Sequence, residues 1–474
     1  MTSPKDVRRT SLRARLPAAL VVILVATGCG PSSAGSPSPS TSAASGSPAP
    51  SAAASATASG AGSHVIVGRI VTMDEPAVAE AILIEDGTVT AVGTRDEVLA
   101  LAGDQVPIID IGQNVAYPGF IDAHAHWIGD REYYDIGTPA EAMDAAIARG
   151  WTSISEQWVD QGRLSELETL AAADALPLRV DAYLALNALE VGGYYGDWYA
   201  DREPGPVDDR LRVQGLKIHL DNGTGAILYW EPADLTATIG RAVDAGWQVS
   251  VHAVSTEAHE IVLDAFEAAI GPSGPNPLHH RIEHALQVTD VQLARMVAMD
   301  LVPVIQLDGA PYDWVMWAAS AEGDRGRDLA AEDLSWLARW SDFLEAGLHV
   351  AATSDAPWFF PDGAMTDDLA RPMDQIAGGM DGRGRDFPET PEWMVDQLLT
   401  AEQGLRAVTL DAAHALGDET RRGHLASGTL GDVTILSGDV TGATPDEIRA
   451  LEVIATIVGG VVVYCSDTVV CGGA

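Results

Sequence analysis

The sequence predicts an α/β protein: a (β/α)8 TIM-type barrel with a small β-sandwich domain built from both chain ends. Three observations lead there. Strand-like and helix-like runs alternate through residues 118–418. Short β-type runs separated by turn residues flank that stretch, at 64–117 and 419–464. Polar side chains able to bind metal recur where the strand-like runs end, the face on which such barrels carry their chemistry.

The chain opens with an export pattern. Lys5, Arg8, Arg9, Arg13 and Arg15 stand against one acid, Asp6, and precede the apolar run Leu16–Ala26 and then Thr27-Gly28-Cys29. A basic start, a short apolar run and small residues before a cleavage point describe a signal peptide over residues 1–28. The run is too short to span a membrane. Cys29 after Ala26-Thr27-Gly28 resembles a bacterial lipobox, which implies a lipidated cysteine and an exported protein anchored to the cell membrane, facing outside. Val7–Arg13 also resembles a twin-arginine signal, without its usual Phe. Residues 29–63 are almost wholly Ser, Ala, Pro, Gly and Thr. Such a segment buries too little to fold and reads as a linker.

The 474 residues carry a formal charge of −40, and setting aside the +4 of residues 1–28 leaves −44. That acidity argues against nucleic acid and against direct attraction to an anionic membrane. The expected partner is a small-molecule substrate, with the membrane touched only through the anchor and oligomerisation left open. Besides Cys29, the chain has Cys465 and Cys471. In an exported chain these predict a disulfide closing the tail, residues 465–474.

The small domain is read from both ends. Val65–Val67, Ile70–Met73, Ala81–Gly87 and Thr88–Gly93 are β-type runs, with Glu85-Asp86-Gly87 as a hairpin signal. A similar set returns in Gly423–Ser437 and Ile454–Tyr464.

Between them, eight strands are expected: Phe120–His126, Ser153–Glu156, Arg179–Leu184, Leu216–Leu220, Gln248–His252, Arg281–His284, Val302–Gln306 and His349–Asp355. Helices are expected at Thr138–Arg149, Leu164–Ala175, Pro232–Ala245, Thr256–Ala269, Val288–Met299, Ala331–Ala346 and Met394–Val408. His124 and His126 share one side of strand one by alternation, and two imidazoles on rigid backbone make half a metal site. Lys217 lies in strand four, while His252, His284 and Asp355 end strands five, six and eight. Taken singly, these read as core histidines, a lysine in a salt bridge and a helix-capping aspartate. Their repeated placement at one end of the barrel argues for a shared site.

Together these residues resemble the amidohydrolase superfamily: Pro118-Gly-Phe-Ile-Asp-Ala-His-Ala-His126, a strand-four Lys, single His residues after strands five and six, and Ser354-Asp-Ala356. The nearer resemblance, over roughly residues 64–464, is to its YtcJ-like branch (amidohydrolase family 3). It rests on Gly215-Leu-Lys-Ile, Val251-His-Ala, His280-Arg-Ile-Glu-His-Ala285, Ala346–Pro357, Ala407–Ala413 and Leu425–Val433. The resemblance implies one or two divalent ions, with zinc as the default for imidazole and carboxylate ligands. His124 and His126 would hold one metal, His252 and His284 a second, a carboxylated Lys217 would bridge them, and Asp355 would bind the first metal and move the proton.

The activity implied is metal-assisted hydrolysis of a non-peptide C–N bond, an amide or cyclic amide of a small molecule. Hydrolysis of an ester, lactone or carbamate at the same site is an alternative, as is an extracytoplasmic binding lipoprotein without catalysis. Trp127, His219, Asp221, Asp308 and Trp358 are the substrate-binding candidates, among strand-end loops rich in aromatics.

Overall fold

The computed structural model describes residues 62–103, 105–134, 136–187, 194–222, 227–308, 334–356, 370–383 and 388–471. The export signal, Cys29 and the linker up to residue 61 lie outside the described residues, as does Trp358.

The described chain opens with β1 (His64–Val71), β2 (Val78–Glu85), β3 (Thr88–Gly93) and β4 (Ile108–Pro118). It continues through β5 (Phe120–Ala125), β6 (Trp151–Val159), β7 (Arg179–Ala185), β8 (Gly205–Pro206), β9 (Leu211–His219), β10 (Gln248–Ala253), β11 (Arg281–His284), β12 (Val302–Ile305) and β13 (Ala351–Ala352). It closes with β14 (Val433–Leu436), β15 (Val453–Val458) and β16 (Val461–Cys465).

Both chain ends enter one separate seven-stranded sheet, ordered β16-β15-β14-β4-β1-β2-β3. Asp86 and Gly87 both take positive φ, which suits a tight turn between twisted strands and joins β2 to β3. One apolar cluster gathers Ile82 and Val89 from one end of the sheet and Ile435 and Ile457 from the other. Ile84 of β2 lies against Gly431 and Gly460, so the sheet curls back on itself. The long β4 carries its own period-two pattern, Ile109, Ile111, Val115 and Tyr117, and went unread in the sequence. Cys465 and Cys471 are bonded to each other.

The second sheet is the barrel. Its path runs β13-β12-β11-β10-β9-β7-β6-β5 in parallel pairs, with β8 added alongside β9. The ends meet just past the strands, where Asp355 N donates to His124 O at 3.1 Å and His126 N to Ala356 O at 2.8 Å. Expected strand eight shrinks to Ala351–Ala352 because the backbone beyond it turns to other partners: Ser354 N donates to the Asp122 carboxylate at 2.9 Å.

Five expected helices appear, as Pro139–Ala148, Gln161–Ala172, Pro232–Asp244, Thr256–Ile270 and Asp290–Met299. Side-chain caps start four of them, from Thr138, Asp160, Ser255 and Thr289. Two expectations need correction. The helix read over Ala331–Ala346 is interrupted: Leu334 is helical, the chain leaves the helix over Ser335–Arg339, where Ala338 takes φ 46°, and helix resumes at Trp340–Glu345, while residues 331–333 lie outside the described residues. The helix read over Met394–Val408 is broken into a 3-10 turn, Glu392–Gln397, and a helix, Ala401–Ala407. Thr400 and Gln403 form a capping box there, a start signal inside the stretch read as continuous.

Buried ion pairs tie the parts together. Arg179, opening β7, holds Asp432 beside β14 at 2.6 Å, joining barrel to sheet. Arg422 takes Asp181 of β7 at 2.8 Å and Asp418 at 2.6 Å. Burial alone would raise Asp181, but Arg422 and Arg212 hold it below its ordinary 3.8. A depressed carboxyl contributes stability that is complete above that ordinary value and is lost as pH falls through the lowered one. Arg422→Met, which leaves two buried carboxylates with only the more distant Arg212 between them, is expected to cost about 3 kcal/mol in chemical denaturation near neutral pH. The deficit should shrink in strong acid. A variant as stable as the parent at neutral pH contradicts this assignment.

Candidate metal centre

Strand one delivers the first two imidazoles. Its pairing with β6 shifts register between Asp122 and Ala125, and the Asp122 carboxylate is taken by Thr353, Ser354 and Trp127. The two histidines converge on one carboxylate, with Asp355 Oδ1 3.4 Å from His124 Nε2 and 3.5 Å from His126 Nε2. His124, His126 and Asp355 are buried, and one ligand atom from each lies within 4.8 Å of the others. Imidazole nitrogens and a carboxylate converging at that spacing form a donor set that suits a divalent ion.

The other expected residues surround this trio. His284 Nδ1 is 3.8 Å from Asp355 Oδ2, and its ring lies 5.0 Å from that of His124. The His252 ring is 4.4 Å from His284. Lys217 Nζ is 3.5 Å from His124 Nε2. His219 follows on the same face, its ring 5.3 Å from His252. The structure therefore brings together all six residues read as the metal set, with His219 at their side.

Strand periodicity alone does not aim them. Arg281 and Glu283 occupy alternate positions of β11, so an ordinary strand would turn His284 away from both. His284 instead takes φ 72° and Ala285 φ 37°, and Asp355 takes φ 47°. Left-handed backbone at non-glycine residues stores strain, and it recurs where side chains must be re-aimed at a site.

Charge is distributed unevenly. Burial, then Lys217, pushes His124 well below its usual value, and burial brings His284 down to about 3. Burial also opposes charge on His126, but Asp355, Asp130 and Glu156 outweigh it and raise that ring. Burial would lift Asp355, yet the imidazoles around it hold its carboxyl well below the usual range. Lys217 is fully buried and, among the described residues, no carboxylate pairs with its amine. Burial pushes it down to about 8. A lysine in a structural salt bridge would have its partner beside it.

Several contributors were missed in the sequence. Glu283 accepts from His124 Nδ1 at 2.6 Å, which leaves Nε2 facing the site, and Arg281 holds Glu283 at 2.5 Å. Ser250 also donates to Glu283, at 2.8 Å. Arg281 and Glu283 were legible as opposite charges two apart in a buried strand. Gln306, just past β12, donates to Asp355 Oδ2 at 3.1 Å and lies 2.8 Å from His284 Nδ1. Asp122 takes Thr353, Ser354 and Trp127 at once.

Two substrate-binding candidates are corrected. Trp127 is fully buried, donates to Asp122 at 3.1 Å and lies beneath Arg149, so it packs the core. Asp221 is also fully buried. It accepts from Ser255 N and Oγ at 2.9 and 2.7 Å and faces His252 Nε2 at 3.2 Å, so it positions His252 and the loop after β10. Asp308 is half-buried two residues beyond Gln306, on the strand-end face. The aromatic loops divide: Tyr199 packs on Trp247 and Trp158 on His219, whereas Tyr194 and Tyr195 are exposed.

Residues that orient metal ligands through a second hydrogen bond commonly change metal affinity 10–100-fold. Glu283→Gln should accordingly weaken divalent-ion binding by roughly tenfold or more, read by competition with a chromophoric chelator. Unchanged affinity in a folded variant would remove Glu283 from this role.

Comparison with known proteins places this geometry. A model of the amidohydrolase family matches residues 137–464. The chain is 26% identical over 353 residues to the putative amidohydrolase YtcJ of Bacillus subtilis (strain 168), covering 71% of this chain and 57% of that one. It is 28% identical over 269 residues to N-substituted formamide deformylase of Arthrobacter pascens, covering 56% and 44%. The chain thus spans about half the length of these curated relatives. An uncharacterized metal-dependent hydrolase from Pyrococcus horikoshii OT3 superposes with a TM-score of 0.65 at 17% identity, covering 81% of this chain and 99% of that one. At that identity the likeness speaks for the fold.

Proposed function

Because the chain belongs to the amidohydrolase family, we propose that it is a metal-dependent hydrolase that cleaves the C–N bond of a small amide or cyclic amide. The observation that carries this reading is the buried convergence of His124, His126 and Asp355 beside Lys217, whose amine lies 3.5 Å from His124 Nε2 and has no carboxylate partner among the described residues.

In this reading His124, His126 and Asp355 hold one divalent ion, with His252 and His284 available to a second. Lys217, as an ammonium, is a poor ligand. Reaction of its neutral amine with carbon dioxide, with loss of a proton, gives a carbamate that supplies two anionic oxygens in the same place. Such a cation lowers the pKa of a water it binds and polarises a carbonyl, and zinc suits these donors.

The chain's own groups then handle orientation and the proton. Glu283 and Asp221 fix the rings of His124 and His252. Gln306 steadies Asp355. Asp355 takes a proton from the attacking water as its oxygen adds to the carbonyl carbon. The C–N bond breaks, and Asp355 returns the proton to the leaving nitrogen, base first and acid second. In this reading His219, Asp308 and the exposed Tyr194 and Tyr195, at or beyond the strand ends, would meet the substrate. The name of the Arthrobacter pascens relative makes N-substituted formamides the first compounds to test. The proposed site of action is extracytoplasmic, carried by the basic, apolar and small-residue order of residues 5–29.

Turnover is expected from metal-loaded protein on a panel of formamides, cyclic amides and matched esters. It should vanish on chelation and return with added divalent ion. Asp355→Asn should lower kcat by roughly 10²–10⁴-fold, the usual weight of a positioned acid–base group. Amide turnover that survives either treatment would sink the mechanism.

A further inference from the structure

The opposite end of the barrel carries a second cluster of metal-competent side chains. His279 stands two residues before β11 and His349 two residues before β13, so both lie at strand starts, away from the strand-end site. His414 lies in the helix Leu410–Ala415, and Glu419 follows that helix. Ala412, Ala413, Ala415 and Leu416 pack with Ile121, Tyr183, Val302 and Ala351, so this helix closes the barrel floor. Gly417, in the left-handed conformation at φ 60°, ends the helix, and the chain turns to set Glu419 Oε1 3.5 Å from His414 Nδ1.

The three rings are in direct contact. His349 stacks on His414 with centroids 3.8 Å apart, and His279 meets His414 edge-on at 4.3 Å. His279 Nδ1 lies 3.2 Å from His414 Nε2. Donors sharing one tetrahedral zinc at about 2.0–2.1 Å stand about 3.4 Å from each other, so the His279 Nδ1–His414 Nε2 pair is already at that spacing, whereas Glu419, whose 3.5 Å contact is to His414 Nδ1, must turn toward the Nε2 side to complete the set. One ligand atom from each of His279, His414 and Glu419 lies within 4.8 Å of the others, and all three residues are partly exposed to solvent. His349 donates to Asp411 at 2.8 Å behind them, the kind of carboxylate–imidazole contact that fixes a ring beside a metal site.

We propose that His279, His414 and Glu419 form a second divalent-cation site, of zinc type, which clips the floor helix to the start of β11. Nothing in it touches the strand-end cluster, so it is a structural site independent of hydrolysis.

The full chain is stripped of metal, titrated with Zn2+ in equilibrium dialysis, and its bound zinc counted by elemental analysis. His414→Ala is expected to bind one ion fewer per chain than the parent, with hydrolytic activity kept. Glu419→Gln, which removes a proposed ligand carboxylate at a partly exposed residue, should weaken the floor site by at least the roughly tenfold that losing an orienting partner costs. In protein already carrying His124→Ala, His126→Ala, His252→Ala and His284→Ala, Zn2+ near the floor site's dissociation constant should still raise the melting temperature, and adding Glu419→Gln should remove that rise. Parent-like zinc counts in His414→Ala, or a zinc-dependent rise that survives Glu419→Gln, would overturn the proposal. Should His414→Ala fail to fold, the Glu419→Gln affinity and melting data decide alone.

Discussion

The Asp122 carboxylate holds strand one against strand eight, and the clustered imidazoles depend on that bridge. It accepts from Thr353 Oγ1 at 3.0 Å and from Ser354 N at 2.9 Å on one side, and from Trp127 Nε1 at 3.1 Å in the turn after its own strand. Burial raises its carboxyl to about 6, against the pull of those donors. A fully buried acid is tolerable only when its oxygens are this well matched. Strand eight has only two residues of regular pairing, so these side-chain bonds do what a longer ladder would otherwise do. They hold Asp355 opposite His124 and His126.

Beneath the imidazoles, the barrel interior is polar and connected. Tyr183 holds Arg281, Arg281 holds Glu283, Ser250 bridges Glu283 to Gln157, and Gln157 reaches Ser155. Cations and carboxylates are matched in this layer, and the chain ends in it at His124. One step higher the matching stops. Among the described residues, Lys217 enters without a carboxylate in hydrogen-bond contact, among imidazoles that burial keeps mostly neutral. A core selected only for stability would not hold an unmatched amine at its centre. A site meant to receive an anionic adduct and a cation accounts for it.

The barrel was legible because its strands repeat one plan: an apolar run, then a polar residue at the end. His124, His126, Lys217, His252, His284 and Asp355 were found through that regularity. Alternation reports the side of a strand and says nothing of partners, so Glu283, Gln306 and Asp122 were missed, although each holds a residue that was found. It also placed Asp221 with Lys217, where Ser255 and Val254 claim its carboxylate from a neighbouring loop. Trp127 looked like pocket lining because it follows the His-x-His strand, yet Asp122 and the core hold its indole. The broken helices failed for a local reason. Composition stays helix-like through Met394–Val408, and only the Thr400 cap and the extended Leu398 reveal the break.

The direct measurement is bound divalent metal per chain in protein prepared without chelators, compared with His124→Ala/His126→Ala and paired with intact mass for a carbon dioxide adduct on Lys217. The geometry predicts bound ion in the parent, loss of ion from the strand-end site in the double variant, and an adduct that disappears in Lys217→Ala. A parent that carries the same metal as the double variant, and no adduct, would contradict a metal centre built on these residues.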